Sequence, residues 1–337
     1  MTLKMQNRTK TWTYRIIASL VGIAILLSLV YYAGYEKFFT IIIQTSPYWI
    51  ITSVIVYAMS WIFRVHRLER FTRDAGEKIG FFELFKLLIS GYTLNILLPA
   101  RLGDVATIFY LKMKKIAIGK STAIIFQLRI LDVMALLILS LPVFAFFFSD
   151  APTWIRTTLL ICIFIIAIPI CIVLFDKAKH FSDLLNRLGN KFNNKIFKIV
   201  SDKANDAYIH YHEIVLNKRL LFVSIFISIT IWVFDILTCY TVSIAVASPV
   251  LITVALFGVC IANVAKSVPS IPGGIGIYEG ALAGIFVLFG TPFDIAITIA
   301  ILDHAIKNIF TLVFGIPATT SIGLNFSDIK KFKKELD

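Results

Sequence analysis

Long apolar runs, separated by short basic segments, dominate the chain. Six of them hold about 18 or more mostly apolar residues, the length a helix needs to cross a bilayer. They lie at roughly 14–34, 46–63, 120–148, 153–175, 219–247 and 293–317. Two further apolar regions, 81–111 and 250–290, are interrupted midway. The first breaks at Pro99-Ala100-Arg101-Leu102-Gly103-Asp104, the second at Pro269-Ser270-Ile271-Pro272-Gly273-Gly274-Ile275-Gly276. After the second break, residues 277–290 make a helix of about 21 Å, against a hydrocarbon core of about 30 Å. That piece is too short to cross. Both regions are therefore expected to be re-entrant helical hairpins, one entering from each side.

Composition narrows the class. The 337 residues are 58% hydrophobic and only 16% charged, whereas soluble domains carry roughly 25% charged residues. The pattern predicts one all-α polytopic membrane domain over 1–337, and excludes a soluble enzyme. The net charge of +13 then reads as a topology signal before it reads as a nucleic-acid footprint. With both broken regions starting and ending on the same side, 26 of the 33 Lys and Arg fall in segments on the side of the N-terminus. Those segments are the N-terminus, 64–80, 112–120, 176–219 and the tail. The opposite loops keep only Lys37 and Arg156. The positive-inside rule makes that shared side the cytoplasm, with both termini there, in a multi-pass protein of the cell membrane. The N-terminal run, with bulky Tyr31 where a signal peptide needs a small residue, reads as a retained helix. Cys162, Cys171, Cys239 and Cys260 sit inside apolar runs without metal-type spacing, so they read as packing residues. No cofactor or metal is expected.

The two broken regions resemble each other. Asn95 precedes Pro99, then Gly103 and Asp104; Asn263 precedes Pro269 and Pro272, then Gly273, Gly276 and Glu279. Each is followed by a spanning helix with a matching core, Leu128-Arg129-Ile130-Leu131-Asp132 and Ala300-Ile301-Leu302-Asp303-His304. One repeat would cover about 46–148 and the other about 219–317, in opposite orientations. Inverted repeats with interrupted helices near the midplane are a transporter pattern. Residues 176–218 mix Lys and Arg with Phe and Leu and read as a basic, amphipathic cytoplasmic linker.

Charged residues inside apolar regions are the candidate chemistry. Lys86, Arg101, Arg129, Lys266 and Lys307 face Asp104, Asp132, Asp235, Glu279 and Asp303. Each costs about 2.5–3.5 kcal/mol at a helix centre if unpaired, so they must pair, line water or meet a charged ligand. Arg129 and Asp132 share a helix face, as do Asp303 and Lys307. The first pair reads equally as a lock between repeats or as part of a site; the second, like Asp235, reads as structural. Gly273, Gly274 and Gly276 place side-chain-free backbone at the start of a half-helix, whose free N–H groups and positive dipole end suit phosphate. Arg101 and Lys266 add charge at the two breaks. Glu279 either neutralises Lys266 or takes up a proton, and His304 is either a proton carrier or a packing residue. The expected ligand is an anionic phospholipid or a polyprenyl-phosphate-linked group.

These breaks resemble the lysylphosphatidylglycerol synthase transmembrane region family, also called flippase-like. The matching residues are Asn95 with Leu98 to Asp104, Arg129 with Asp132, Pro269 to Gly276 with Glu279, and Gly315. Family members usually carry Arg where this chain has His304, so a role of that Arg does not transfer. The resemblance implies lipid translocation. The family includes the membrane half of the multiple peptide resistance factor and membrane regions attached to glycosyltransferases. Its synthase domain is a separate soluble region that this chain is expected to lack. Two rivals remain. One is a non-transporting partner that presents lipid to a separate transferase. The other is a membrane transferase, for which the outer side supplies only Glu36, Asp150 and Asp294 as acidic residues.

Overall fold

The computed structural model of the protein describes residues 20–98, 101–147, 195–266 and 272–322. Every regular element among them is helical. In chain order they are α1 (Leu20–Ala33), α2 (Tyr35–Gln44), α3 (Pro47–Asp74), α4 (Phe81–Leu97), α5 (Leu102–Met113) and α6 (Ile118–Phe147). There follow α7 (Lys195–Leu216), α8 (Lys218–Ala245), α9 (Ile252–Lys266), a 3-10 turn at Pro272–Gly274, α10 (Ile277–Leu288) and α11 (Phe293–Ser321). The expected span at 153–175, both termini, residues 176–194, Cys162 and Cys171, and the prolines Pro99 and Pro269 lie outside the described residues.

Among the described residues four helices are long and apolar enough to cross a membrane: Pro47–Asp74, Ile118–Pro142, Lys218–Ala245 and Phe293–Ser321. They match four of the six expected spans. Of the first expected span, the described residues form α1, which ends in a bend. α1 and α2 meet at 87°, across Gly34, whose φ of 84° is a left-handed conformation that glycine adopts without penalty. Taken as one, the pair is a fifth candidate. Both interrupted regions are helix–break–helix, α4 with α5 and α9 with α10.

One boundary differs from the sequence reading in a way that matters. The second span was expected to end at 63, with the five following basic residues in solvent. Instead α3 continues to Asp74, because neither Pro nor Gly interrupts it before Gly76. There Gly76 adopts a φ of 93°, and Glu77 N–H bonds back to the Thr72 carbonyl at 2.9 Å, the six-to-one closure of a helix end. Arg64 and Arg67, expected in a polar segment, are only 4% and 2% exposed.

The chain folds as two compact units. The first gathers the described parts of Met1–Ile62, Gly91–Asp104 and Ile231–Gly315. In its core Trp61 stacks on Phe310 at 6.3 Å and meets Tyr92 edge-on at 5.3 Å. α9 packs on α10 because Gly258 has no side chain: a Cβ there would lie 2.7 Å from Leu282 Cδ1. The second unit gathers the described parts of Phe63–Ser90, Val105–Thr230 and Ile316–Asp337. Here α6 packs on α7, with Phe126 edge-on to Tyr211 at 5.6 Å. Asp206 of α7 closes over Gly119, leaving no room for a Cβ there. The basic linker is thus, over 195–216, a helix whose Tyr208, Tyr211 and Ile214 are buried.

Candidate functional site

In the first break the chain leaves α4 at Leu97 and restarts at Leu102. Arg101 turns it with a φ of 54°, a conformation costing a non-glycine residue roughly 1–2 kcal/mol. Asp104 N–H caps back onto the Arg101 carbonyl at 3.0 Å. Asn95 Nδ2 donates to Asp104 Oδ1 at 2.9 Å, so a side chain of α4 holds the first turn of α5. Gly103 permits this approach: a Cβ would fall on the Gly91 carbonyl oxygen and lie 2.7 Å from the Asn95 amide nitrogen.

The second break is built from glycine. Gly273, Gly274 and Gly276 have φ of 66°, 70° and 84°, all in the region that other residues avoid. The aliphatic stem of Lys266 lies across Gly274, where a Cβ would collide with it. Gly273 lies against the first break: its Cβ position is 3.6 Å from the Ile96 carbonyl oxygen. The two interruptions therefore meet inside the first unit.

Past the turn, Gly276 N–H donates to Glu279 Oε2 at 2.7 Å, a side-chain closure of the helix start. Glu279 Oε1 is 2.7 Å from His304 Nδ1, so the carboxylate selects the tautomer with the proton on Nδ1. Nε2 of the same ring is buried without a hydrogen-bond partner. Glu279 thus serves the half-helix and His304, rather than bonding Lys266.

One turn of α11 away, Lys307 Nζ sits 2.8 Å and 2.9 Å from the two oxygens of Asp303. Tyr278 donates its hydroxyl to Asp303 at 2.5 Å and lies 3.2 Å from Lys307 Nζ. Its ring stacks on His304, centroids 4.4 Å apart. Lys266 Nζ lies 5.1 Å from the centre of that same ring. Among the described residues Lys266 has no carboxylate within ion-pair distance, and its side chain is half-buried. The charges acting on it from further off are those of Lys307, Asp235, Asp303 and Glu279.

The first unit thus holds Asn95, Arg101, Asp104, Asn263, Lys266, Gly273, Gly274, Gly276, Glu279 and His304. Within it, Asn263 Nδ2 bonds back to the Val259 carbonyl of its own helix at 2.9 Å. Arg129 and Asp132 belong to the second unit. There the nearer partner of Asp132 is Arg67, whose Nη1 lies 2.6 Å from its Oδ1 and 2.6 Å from Ser228 Oγ. Arg129 stands 3.7 Å from the other oxygen. Sequence reasoning missed two participants. Arg67 was counted with the cytoplasmic basic residues of 64–80, and Tyr278 was given no role. Its place two residues after a capping glycine, in the first turn of a short helix, was the available signal.

A chain whose described residues form only helices, four of them fit to cross a bilayer, with charged residues at two glycine-bearing helix breaks, is a multi-pass membrane protein. It belongs to the family described as the lysylphosphatidylglycerol synthase TM region, whose model matches residues 16–315. The glycosyltransferase AglD of Haloferax volcanii is 23% identical over 93% of this chain and 55% of its own length. The chain therefore spans about half of that relative. A UPF0104 membrane protein of Pyrococcus horikoshii is 27% identical over 88% of this chain and 94% of its own. A UPF0104 membrane protein of Methanocaldococcus jannaschii is 23% identical over 89% of this chain and 92% of its own.

Proposed function

We propose that the protein translocates an anionic lipid or lipid-linked head group, binding its phosphate where the two helix breaks meet. The observation that carries this is Lys266. An ammonium at membrane depth costs about 2.5–3.5 kcal/mol. Lys307 offsets its cost with Asp303, whereas the aromatic face below Lys266 returns only about 0.5–2 kcal/mol. The remaining deficit favours an anion. The left-handed glycines beside it let an anionic head group approach the backbone closely, while the start of the half-helix itself is closed by the Glu279 carboxylate. Arg101 brings a further cation to the other break.

In this reading α4 with α5 and α9 with α10 are re-entrant hairpins of two inverted repeats. The termini lie in the cytoplasm, and the protein sits in the cell membrane. Exchange of access between repeats carries the head group across. The rival reading, a non-transporting partner that presents lipid to a separate transferase, is favoured by one observation: a relative named as a glycosyltransferase is about twice as long as the matched region. A membrane transferase within this chain itself is the weaker alternative.

Reconstitution separates them. Purified protein in liposomes should accelerate the exchange of a labelled phosphatidylglycerol or polyprenyl phosphate between leaflets. Lys266→Gln should slow that exchange about tenfold or more, the worth of one charge-assisted bond, and Lys266→Arg should largely restore it. A wild-type protein that binds these lipids without moving them supports the presenting partner. Equal rates for wild type and Lys266→Gln would remove the site from the mechanism.

A further inference from the structure

A cavity of about 390 Å³ lies in the second unit, between the end of α3 and the junction of α7 with α8. Its size is at the lower end of small-ligand sites, which run from about 300 to 1,000 Å³. Arg70, Arg73 and Arg219 line it together with Glu69, Asp74, His66 and Asn217. The two carboxylates are already engaged. Glu69 takes Arg73 Nη2 at 2.5 Å and lies 3.0 Å from His66 Nδ1. Asp74 accepts from Asn217 Nδ2 at 2.8 Å. Among the described residues neither Arg70 nor Arg219 has a carboxylate within ion-pair distance, and Arg70 Nε is buried with no hydrogen-bond partner. Among the arginines and carboxylates of the lining, three cations stand against two anions.

The surroundings indicate what carries the matching negative charge. Asn217 Oδ1 accepts from Leu220 N–H at 3.1 Å and so caps the start of α8, whose positive dipole end adds to the arginines. Arg219, Phe222 and Phe226 follow at i, i+3 and i+7, one face of α8. Phe222 and Phe226 are 64% and 55% exposed, with ring centroids 4.9 Å apart. A guanidinium at the cavity rim thus leads directly into an uncovered aromatic stripe. A soluble phosphate would use the first feature only, whereas an anionic phospholipid uses both.

We infer that this cavity is a second lipid site, holding the phosphodiester of an anionic phospholipid whose acyl chain lies along Phe222 and Phe226. It is independent of the helix breaks, since none of its residues belongs to them. The test uses the full chain in nanodiscs of phosphatidylcholine containing phosphatidylglycerol, with retained lipid counted by native mass spectrometry. Wild type should retain phosphatidylglycerol preferentially. The double variant Arg70→Gln/Arg219→Gln should lose about tenfold of that preference, and Phe222→Ala should also weaken it. Lys37→Gln, an exposed cation elsewhere, should not, which guards against a general loss of charge. Inorganic phosphate should fail to displace the lipid. Retention unchanged in the double variant, or absence of any preference for phosphatidylglycerol over phosphatidylcholine, would overturn the inference. Full displacement by inorganic phosphate would do so too, by making the ligand a soluble anion. The transport reading stands or falls separately, on Lys266.

Discussion

Lys307 and Lys266 show how differently two embedded ammonium groups can be accommodated. Both lie within 6 Å of the Tyr278 ring centre, at 5.7 Å and 5.1 Å, yet among the described residues only Lys307 has a carboxylate in contact. Removing that carboxylate strands a buried cation. Asp303→Asn should therefore destabilise by about 3–5 kcal/mol, while Asp303→Asn with Lys307→Met should recover part of the loss. Glu279→Gln keeps the shape and one acceptor, so its cost should be about 1–3 kcal/mol. Apparent melting temperatures in detergent should rank the three variants in that order, with Asp303→Asn lowest. If Glu279→Gln proved the worst, the closure of α10 rather than the Asp303 pair would be the main electrostatic support of the break.

At the scale of elements, the breaks themselves were legible in the chain. Proline and glycine inside apolar runs stop helices for local reasons, so the restarts at Leu102 and Ile277 follow from sequence. The bend at Gly34 and the continuation of α3 through Arg64 and Arg67 were not. Whether a cation is solvated or buried depends on what another helix brings alongside. Here Asp132 and Ser228 come from segments distant in sequence. The glycines give a sharp contrast. Gly103 sits where a Cβ would strike Gly91, whereas Gly284 on α10 faces open space. Gly103→Ala should abolish stable expression. Gly284→Ala should be tolerated or gain about 0.5–1 kcal/mol from helix propensity, as read by yield and thermal unfolding. A tolerated Gly103→Ala would mean that α4 and α5 do not approach so closely.

For the whole molecule, the apolar surface is itself informative. Ile43, Ile51, Ile55, Ile309 and Val313 are all more than half exposed, an arrangement suited to hydrocarbon rather than water. Against that background, charges must be counted by partner. Asp303 with Lys307 and Asp132 with Arg67 are close pairs, while Lys266 beside the glycine turn has, among the described residues, no carboxylate within ion-pair distance. Sequence identified Lys266 and the glycines together, because both lie in one short stretch. It could not join them to Ile96 at the end of α4, far away in sequence. The most direct measurement is mass mapping of adducts from a phosphatidylglycerol carrying a photoreactive head group, in the reconstituted full chain. Adducts should concentrate at Lys266 and residues 273–276 and fall sharply in Lys266→Gln. Adducts confined to outward-facing apolar residues, and unchanged by that substitution, would contradict a head-group site at the meeting point of the two breaks.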